Sequence, residues 1–243
     1  MKTVCIIQAR MGSTRLPGKV MLDLCGKTVL WHVIERVKRV KNIDEIVIAT
    51  TTGKKDDVIV EEVLKYGAKV FRGSEEDVLS RYYYAAKENK ADVVVRLTSD
   101  CPLIDPEVTN DVIDFYLNNN NNLDYVSNTL ERTFPRGLDT EVFSFEALEK
   151  AFNEATLQRD KEHVTPYIWD NPNKFSLGNY KNNVNYSHLR WTLDTEEDYE
   201  LISRVYKELF NNEHTFYFRE IIELVERKPE LHNINATIKQ KRL

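Results

Sequence analysis

Four short apolar runs, residues 4–7, 45–49, 69–71 and 92–97, alternate with segments of helical period at residues 28–41, 56–66 and 75–88. This alternation predicts a parallel sheet covered by helices, because parallel neighbours need crossovers long enough to hold a helix. In the first helical segment Leu30, Val33, Ile34, Val37 and Val40 recur at steps of three and four, the spacing of a buried helix face. The expected fold class is α/β: three layers, Rossmann-like, with a mainly parallel sheet.

Beyond Pro102 and Pro106 a further helix is expected at residues 107–117, then a loop over the asparagine tract 118–122. Residues 123–133, 139–143, 174–180 and 184–190 read as extended, with a helix at 145–155 among them. Residues 123–190 are thus expected to include a small β-rich extension. Helices return at 195–210 and 219–227, the first opened by Thr195 as N-cap and Asp198 as capping-box carboxylate. One domain covering residues 1–243 accommodates these elements.

Charge narrows the partners. The 34 Lys and Arg against 39 Asp and Glu leave a net charge of -5, which argues against nucleic acid and membrane surfaces. No apolar run approaches the ~18 residues of a membrane span. The chain enters a strand at once, and Cys5, Cys25 and Cys101 form no closely spaced pair, so a reducing cytoplasm is the expected setting.

Against this acidic background residues 8–19, Gln-Ala-Arg-Met-Gly-Ser-Thr-Arg-Leu-Pro-Gly-Lys, stand out at the end of the first strand. Gly12 and Gly18 let backbone N–H groups approach a phosphate, Ser13 and Thr14 add hydroxyls, and Arg10, Arg15 and Lys19 bring charge with no acceptor atoms. Together they suggest a triphosphate cradle, against the plain alternative of a solvated basic loop. It is not a Walker loop, since Gly12 and Gly18 are one residue too far apart, and no Gly-x-Gly-x-x-Gly occurs.

Two further segments carry carboxylates. Asp100 falls where the fourth strand ends, the position at which open parallel sheets bind ligands; its alternative is a turn cap before Pro102. Asp194 lies at a strand-to-helix junction, where taken alone it reads as a helix cap. Paired with Asp100 it meets magnesium's usual demand for one or two protein carboxylates.

Six segments in order resemble the cytidylyltransferase family that makes CMP-activated sugar acids, including the CMP-Kdo and acylneuraminate synthetases, and within it the spore coat polysaccharide branch. They are residues 8–19, 71–81, 96–102, 136–141, 160–167 and 191–198. The resemblance implies a nucleotide-diphospho-sugar transferase fold, CTP and a sugar or sugar acid as substrates, Mg2+ as cofactor, and a homodimer. It assigns Gln8, Ala9, Arg10, Gly12, Ser13, Arg15 and Lys19 to the nucleotide, Arg72 to the neighbourhood of the base, and Asp100 and Asp194 to the metal. Arg10, Lys19 and Asp100 would act directly in catalysis.

Asp139, Glu141, His163 and Tyr167 fall in segments that the resemblance associates with the acceptor. Asp139 and Glu141 alternate on an extended segment, so they share a side, as ligand contacts or as a solvated face. His163 and Tyr167, four residues apart, would share one helical face, either toward a sugar or packed in the core. Two positions depart from the family pattern: Gln8 stands where many members have proline, and Thr192 where many have a carboxylate, which leaves a second metal open.

The expected reaction is nucleotidyl transfer to a sugar, for surface or spore-coat polysaccharide biosynthesis. The alternatives are a metal-dependent glycosyltransferase, whose Asp-x-Asp pair the chain lacks, and a non-catalytic nucleotide-binding homologue. Tyr125, Phe134, Phe143, Phe175 and Tyr180 would either support a dimer or pack a subdomain.

Overall fold

The computed structural model describes residues 1–120 and 122–240. Its first half runs β1 (Thr3–Gln8), a two-strand hairpin of β2 (Asp23–Leu24) and β3 (Lys27–Thr28), α1 (Val29–Val37), β4 (Glu45–Thr51), α2 (Asp57–Leu64), β5 (Lys69–Gly73), α3 (Val78–Glu88) and β6 (Val93–Thr98). The second half runs α4 (Pro106–Asn119), β7 (Tyr125–Ser127), β8 (Glu141–Ser144), α5 (Phe145–Glu154), α6 (Gln158–His163), α7 (Pro166–Trp169), β9 (Leu177–Asn179), α8 (Glu196–Leu209), α9 (Phe218–Arg227) and α10 (Glu230–Asn233).

Seven strands form one sheet in the order β5-β4-β1-β6-β8-β7-β9. The first four are mutually parallel, with Gln8 opposite Ala49 on one side and Thr98 on the other. From β1 the chain moves outward to β4 and β5, then returns to place β6 on the other flank. The strand ends therefore diverge between β1 and β6, opening the crevice in which such sheets bind ligands. Beyond β6 the extension joins the same sheet: β8 runs antiparallel to β6 and β7, and β9 runs parallel to β7.

The layers follow from side-chain alternation along β1. Cys5 and Ile7 pack with Val33 and Ile34 of α1, whereas Val4 and Ile6 pack with Tyr82 and Ala86 of α3. A third cluster joins Trp191 and Leu193 to Leu201, Ile202 and Val205 of α8 and Ile221 of α9. Among the described residues no helix is long and apolar enough to cross a membrane.

The expected strands and helices of the first half are present with boundaries moved by a few residues. The asparagine tract is only partly a loop: α4 continues through Asn119, whose amide donates to the Phe115 carbonyl at 2.8 Å, and Asn121 lies outside the described residues. Of residues 123–133 only Tyr125–Ser127 is a strand. Residues 184–190 are not one. There Leu189 N–H folds back onto the Tyr186 carbonyl at 3.0 Å, and only Arg190 bridges to Arg136.

The shared helical face expected for His163 and Tyr167 is also corrected. α6 ends at His163 and α7 begins at Pro166, since proline cannot continue a helix and Val164 adopts φ 73°. Tyr125, Phe134, Phe143 and Phe175 are buried within the chain's own clusters, with Tyr180 packed against two of them.

A buried histidine pair ties α1 to the segment before α9. His32 Nε2 bonds the Leu24 carbonyl at 2.6 Å, and its Nδ1 lies 2.9 Å from His214 Nε2. Burial drives His32 down to about 4, aided by Arg36; burial drives His214 to about 3, aided by Arg36, His32 and Arg39. Both native values lie below the ordinary 6.5, so the unfolded chain binds more protons. The stability this contributes is complete above pH 6.5 and declines as pH falls toward 4. The urea midpoint should drop across that window, and a His32→Gln/His214→Gln variant should show a flatter pH dependence; equal slopes would contradict the linkage.

Candidate active site

The basic segment at the end of β1 closes on Met11. Met11 N–H donates to Asp56 Oδ1 at 2.7 Å, and its carbonyl accepts from Ser13 N–H at 2.9 Å and Gly18 N–H at 3.1 Å. Gly18, at φ 68°, allows the chain to turn into a short 3-10 helix that begins at Lys19. The loop thereby leaves Arg10 exposed and Ser13 half-buried, and turns Lys19 inward. Ala9 is buried at the loop's root, its N–H bonded to Ala49. A Cβ on Gly12 would come within 3.1 Å of Lys55 Nζ and Glu75 Oε1.

Lys19 Nζ lies 2.7 Å from Asp100 Oδ2 and 2.7 Å from Asp194 Oδ1. The two carboxylates proposed from sequence thus meet at one cationic centre. Asp100 Oδ1 also accepts from the Thr98 hydroxyl at 2.6 Å, and its carbonyl accepts from Leu193 N–H at 2.7 Å, fastening the two segments together. Burial pushes the Asp100 carboxyl up, but the charge and hydrogen bond of Lys19 and the Thr98 hydroxyl outweigh it and bring it down to about 2. Burial likewise pulls Lys19 down, and Asp100 and Asp194 together raise it above its ordinary value. The pair is fully charged at neutral pH.

Asp194 is not the helix cap. Thr195 and Asp198 form the capping box of α8, leaving the Asp194 carboxylate for Lys19, for Arg15 at 2.8 Å and for Arg190 at 2.9 Å. Arg190 also binds buried Asp198 through two 2.9 Å hydrogen bonds, which anchors the Asp194 loop to the helix. Arg190 and Asp56 escaped the sequence reading; the only signal was Arg190's position four residues before Asp194. Thr192 brings a hydroxyl 3.4 Å from the Asp100 carbonyl. Among the described residues no group of three or more potential metal ligands occurs, so the site rests on two carboxylates.

Arg72, at the end of β5, is held by the carbonyls of Thr51 at 2.8 Å and Gly53 at 2.9 Å and by Asp57 at 2.7 Å. Asp139 pairs with Arg132, its Oδ2 at 2.7 Å. Both Glu141 oxygens are engaged by Arg96, Tyr125 and Thr165. His163 closes α6 two residues before Thr165, whereas the Tyr167 hydroxyl binds Glu154 and Lys174 at the surface. Lys19, Asp100 and Asp194 are therefore assembled at one centre, Gln8 meets Arg96 at the end of β1, and the Tyr167 hydroxyl belongs to a separate exposed cluster.

A parallel sheet with a basic loop after β1 and a two-carboxylate centre beside it defines an α/β protein of the nucleotide-transfer class. The chain belongs to the cytidylyltransferase family, whose model matches residues 4–241. It is 34% identical to the spore coat polysaccharide biosynthesis protein SpsF of Bacillus subtilis, with 93% of this chain and 94% of that protein aligned. It is 30% identical to the 3-deoxy-manno-octulosonate cytidylyltransferase of Thermodesulfovibrio yellowstonii, over 78% of this chain and 73% of that one. A cytidylyltransferase structure from Leptospira borgpetersenii superimposes with a TM-score of 0.92 at 38% identity, covering 100% of both chains.

Proposed function

We propose that the protein transfers a cytidylyl group from CTP to a hydroxyl of a sugar acid, yielding a CMP-sugar and pyrophosphate for surface or spore-coat polysaccharide synthesis. The observation that carries this reading is the convergence of Asp100 and Asp194 on a single cationic centre, 2.7 Å from each, beside the basic loop. The relatives support the chemistry, one by its name as a cytidylyltransferase of 3-deoxy-manno-octulosonate, the other by its role in spore coat polysaccharide.

The carboxylate pair fits Mg2+: two hard oxygen donors already share a cation, and magnesium fills its remaining positions with water and phosphate oxygens. Held by Asp100 and Asp194, the ion would offset negative charge on the triphosphate and the departing pyrophosphate. Arg10, Arg15 and Lys19 bind the β- and γ-phosphates in this scheme, with Ser13 and the Gly12 backbone completing the cradle, and Arg72 lies on the base side. The acceptor oxygen bonds to the α-phosphorus as the bond to the β-phosphate oxygen breaks, and the hydroxyl proton passes to solvent. Asp100, held below the ordinary carboxylate range by Lys19 and Thr98, acts in this scheme as a ligand rather than a base. Asp139 and the His163 segment face the acceptor side, and the enzyme works as a homodimer.

The test is pyrophosphate release from CTP and Mg2+ across a panel of sugar acids, with the nucleotide product weighed by mass spectrometry. A CMP-sugar from at least one acid is expected. Hydrolysis of a supplied nucleotide sugar without use of CTP would replace this reading with glycosyl transfer.

A further inference from the structure

Gln8 ends β1 where the sheet diverges, and its side chain is clamped. Its Oε1 accepts from Arg96 Nη2 at 3.2 Å. A guanidinium carries donors only, so the amide oxygen faces Arg96 and the NH2 group is left free of that contact. Gln8 is half-buried, and its NH2 group has no hydrogen-bond partner among the described residues.

Arg96 is itself locked. Glu141, opposite it on β8, accepts from its Nη1 and, through the other oxygen, from the Tyr125 and Thr165 hydroxyls at 2.6 Å each. Thr165 follows Val164, at φ 73° and ψ -57°, where Thr165 N–H bonds the His163 carbonyl at 2.9 Å to close a three-residue turn. A β-branched residue adopts that conformation only where its surroundings enforce it. A buried chain of polar contacts thus runs from this turn across the sheet to one amide.

We propose that Gln8, its amide oxygen held by Arg96 and Glu141 behind it, reads the O2 and N3 acceptor edge of cytosine with its NH2 group, with Arg96 and Glu141 as positioning residues. The inference rests on the nucleotide-transfer reading and deepens it. Uracil presents N3–H where cytosine presents a lone pair, so a fixed N–H donor discriminates against it.

Two variants test this by calorimetric titration with CTP and with UTP, each with Mg2+. Gln8→Glu keeps the size and the Arg96 contact but replaces both donors with an acceptor. Arg96→Met with Glu141→Gln removes both buried charges, keeps acceptors for Tyr125 and Thr165, and frees the amide to flip. Gln8→Glu should weaken CTP binding about tenfold or more and abolish or invert the preference over UTP; the paired variant should lose about tenfold in preference while still binding CTP. A merely structural role would change the melting temperature and leave the preference intact. Wild-type affinity and preference in Gln8→Glu, which leaves the buried ion pair in place, would overturn the inference alone. Wild-type protein that binds no CTP would overturn the nucleotide-transfer reading, and this inference with it.

Discussion

Asp100→Asn should lower pyrophosphate release by about a thousandfold or more, while the protein stays folded. Removing one of the two carboxylates that meet at the cationic centre forfeits several kcal/mol of charge stabilisation when the leaving group departs, and each 1.4 kcal/mol is about a factor of ten in rate. The fold should tolerate the change, because the asparagine oxygen still accepts from one of the two donors, Thr98 or Lys19, and Asp194 still pairs with Lys19. A loss of about 1–2 kcal/mol, seen as a few degrees in melting temperature, is expected from weakening a charge-assisted bond. Undiminished release by the folded variant would remove Asp100 from the metal assignment.

Gly137→Ala should destabilise the protein by about 3 kcal/mol or more and depress turnover with it. Gly137 adopts φ 106°, and a Cβ there would stand 2.6 Å from the Trp191 carbonyl carbon, 2.7 Å from its oxygen and 2.8 Å from Thr192 N. Those atoms are backbone, fixed by the bonds from Arg136 N–H to Leu189 O at 3.0 Å and from Trp191 N–H to Arg136 O at 2.7 Å. Relief requires the two segments to part. One carries Asp139 and the other Asp194, so the carboxylate centre shifts as well, and displacements of about 1 Å can lower rates a hundredfold.

A melting temperature lowered by about 6–12 °C is expected for a chain of this size. Gly67→Ala is the control: φ is 71° with nothing within 4 Å, so it bears only the left-handed strain of about 1–2 kcal/mol and should leave turnover unchanged. Equal melting of the two variants would show that the close approach to Trp191 is unimportant.

Much of the fold was legible because its signals are local. Val4 to Ile7 alternate between two cores, and the spacing of Leu30, Val33, Ile34 and Val37 marks the buried face of α1. The Thr195–Asp198 capping box needs only four consecutive residues. The failures also have local appearances but distant causes. Residues 184–190 look extended, yet the chain there turns on itself. His163 and Tyr167 have helical spacing, yet Pro166 and the Val164 turn separate them.

The candidate site divides the same way. The cations, glycines and hydroxyls of residues 8–19 mark a candidate anion-binding loop from the amino acids alone, since charge and backbone freedom travel with the residues. The order of strands and helices, and Asp100 at a strand end, were likewise determined by the sequence itself. The sequence could pair Asp194 with Asp100 only through magnesium's demand for carboxylates and the resemblance; their meeting at Lys19 is made in three dimensions, where the Leu193 N–H to Asp100 carbonyl bond joins two distant loops and Asp198 takes over the capping role. Glu141 shows the converse: a strand carboxylate open to ligand or solvent in the sequence is turned inward by Arg96, Tyr125 and Thr165. A carboxylate's charge belongs to its residue, but what that charge faces depends on which segments the fold brings against it.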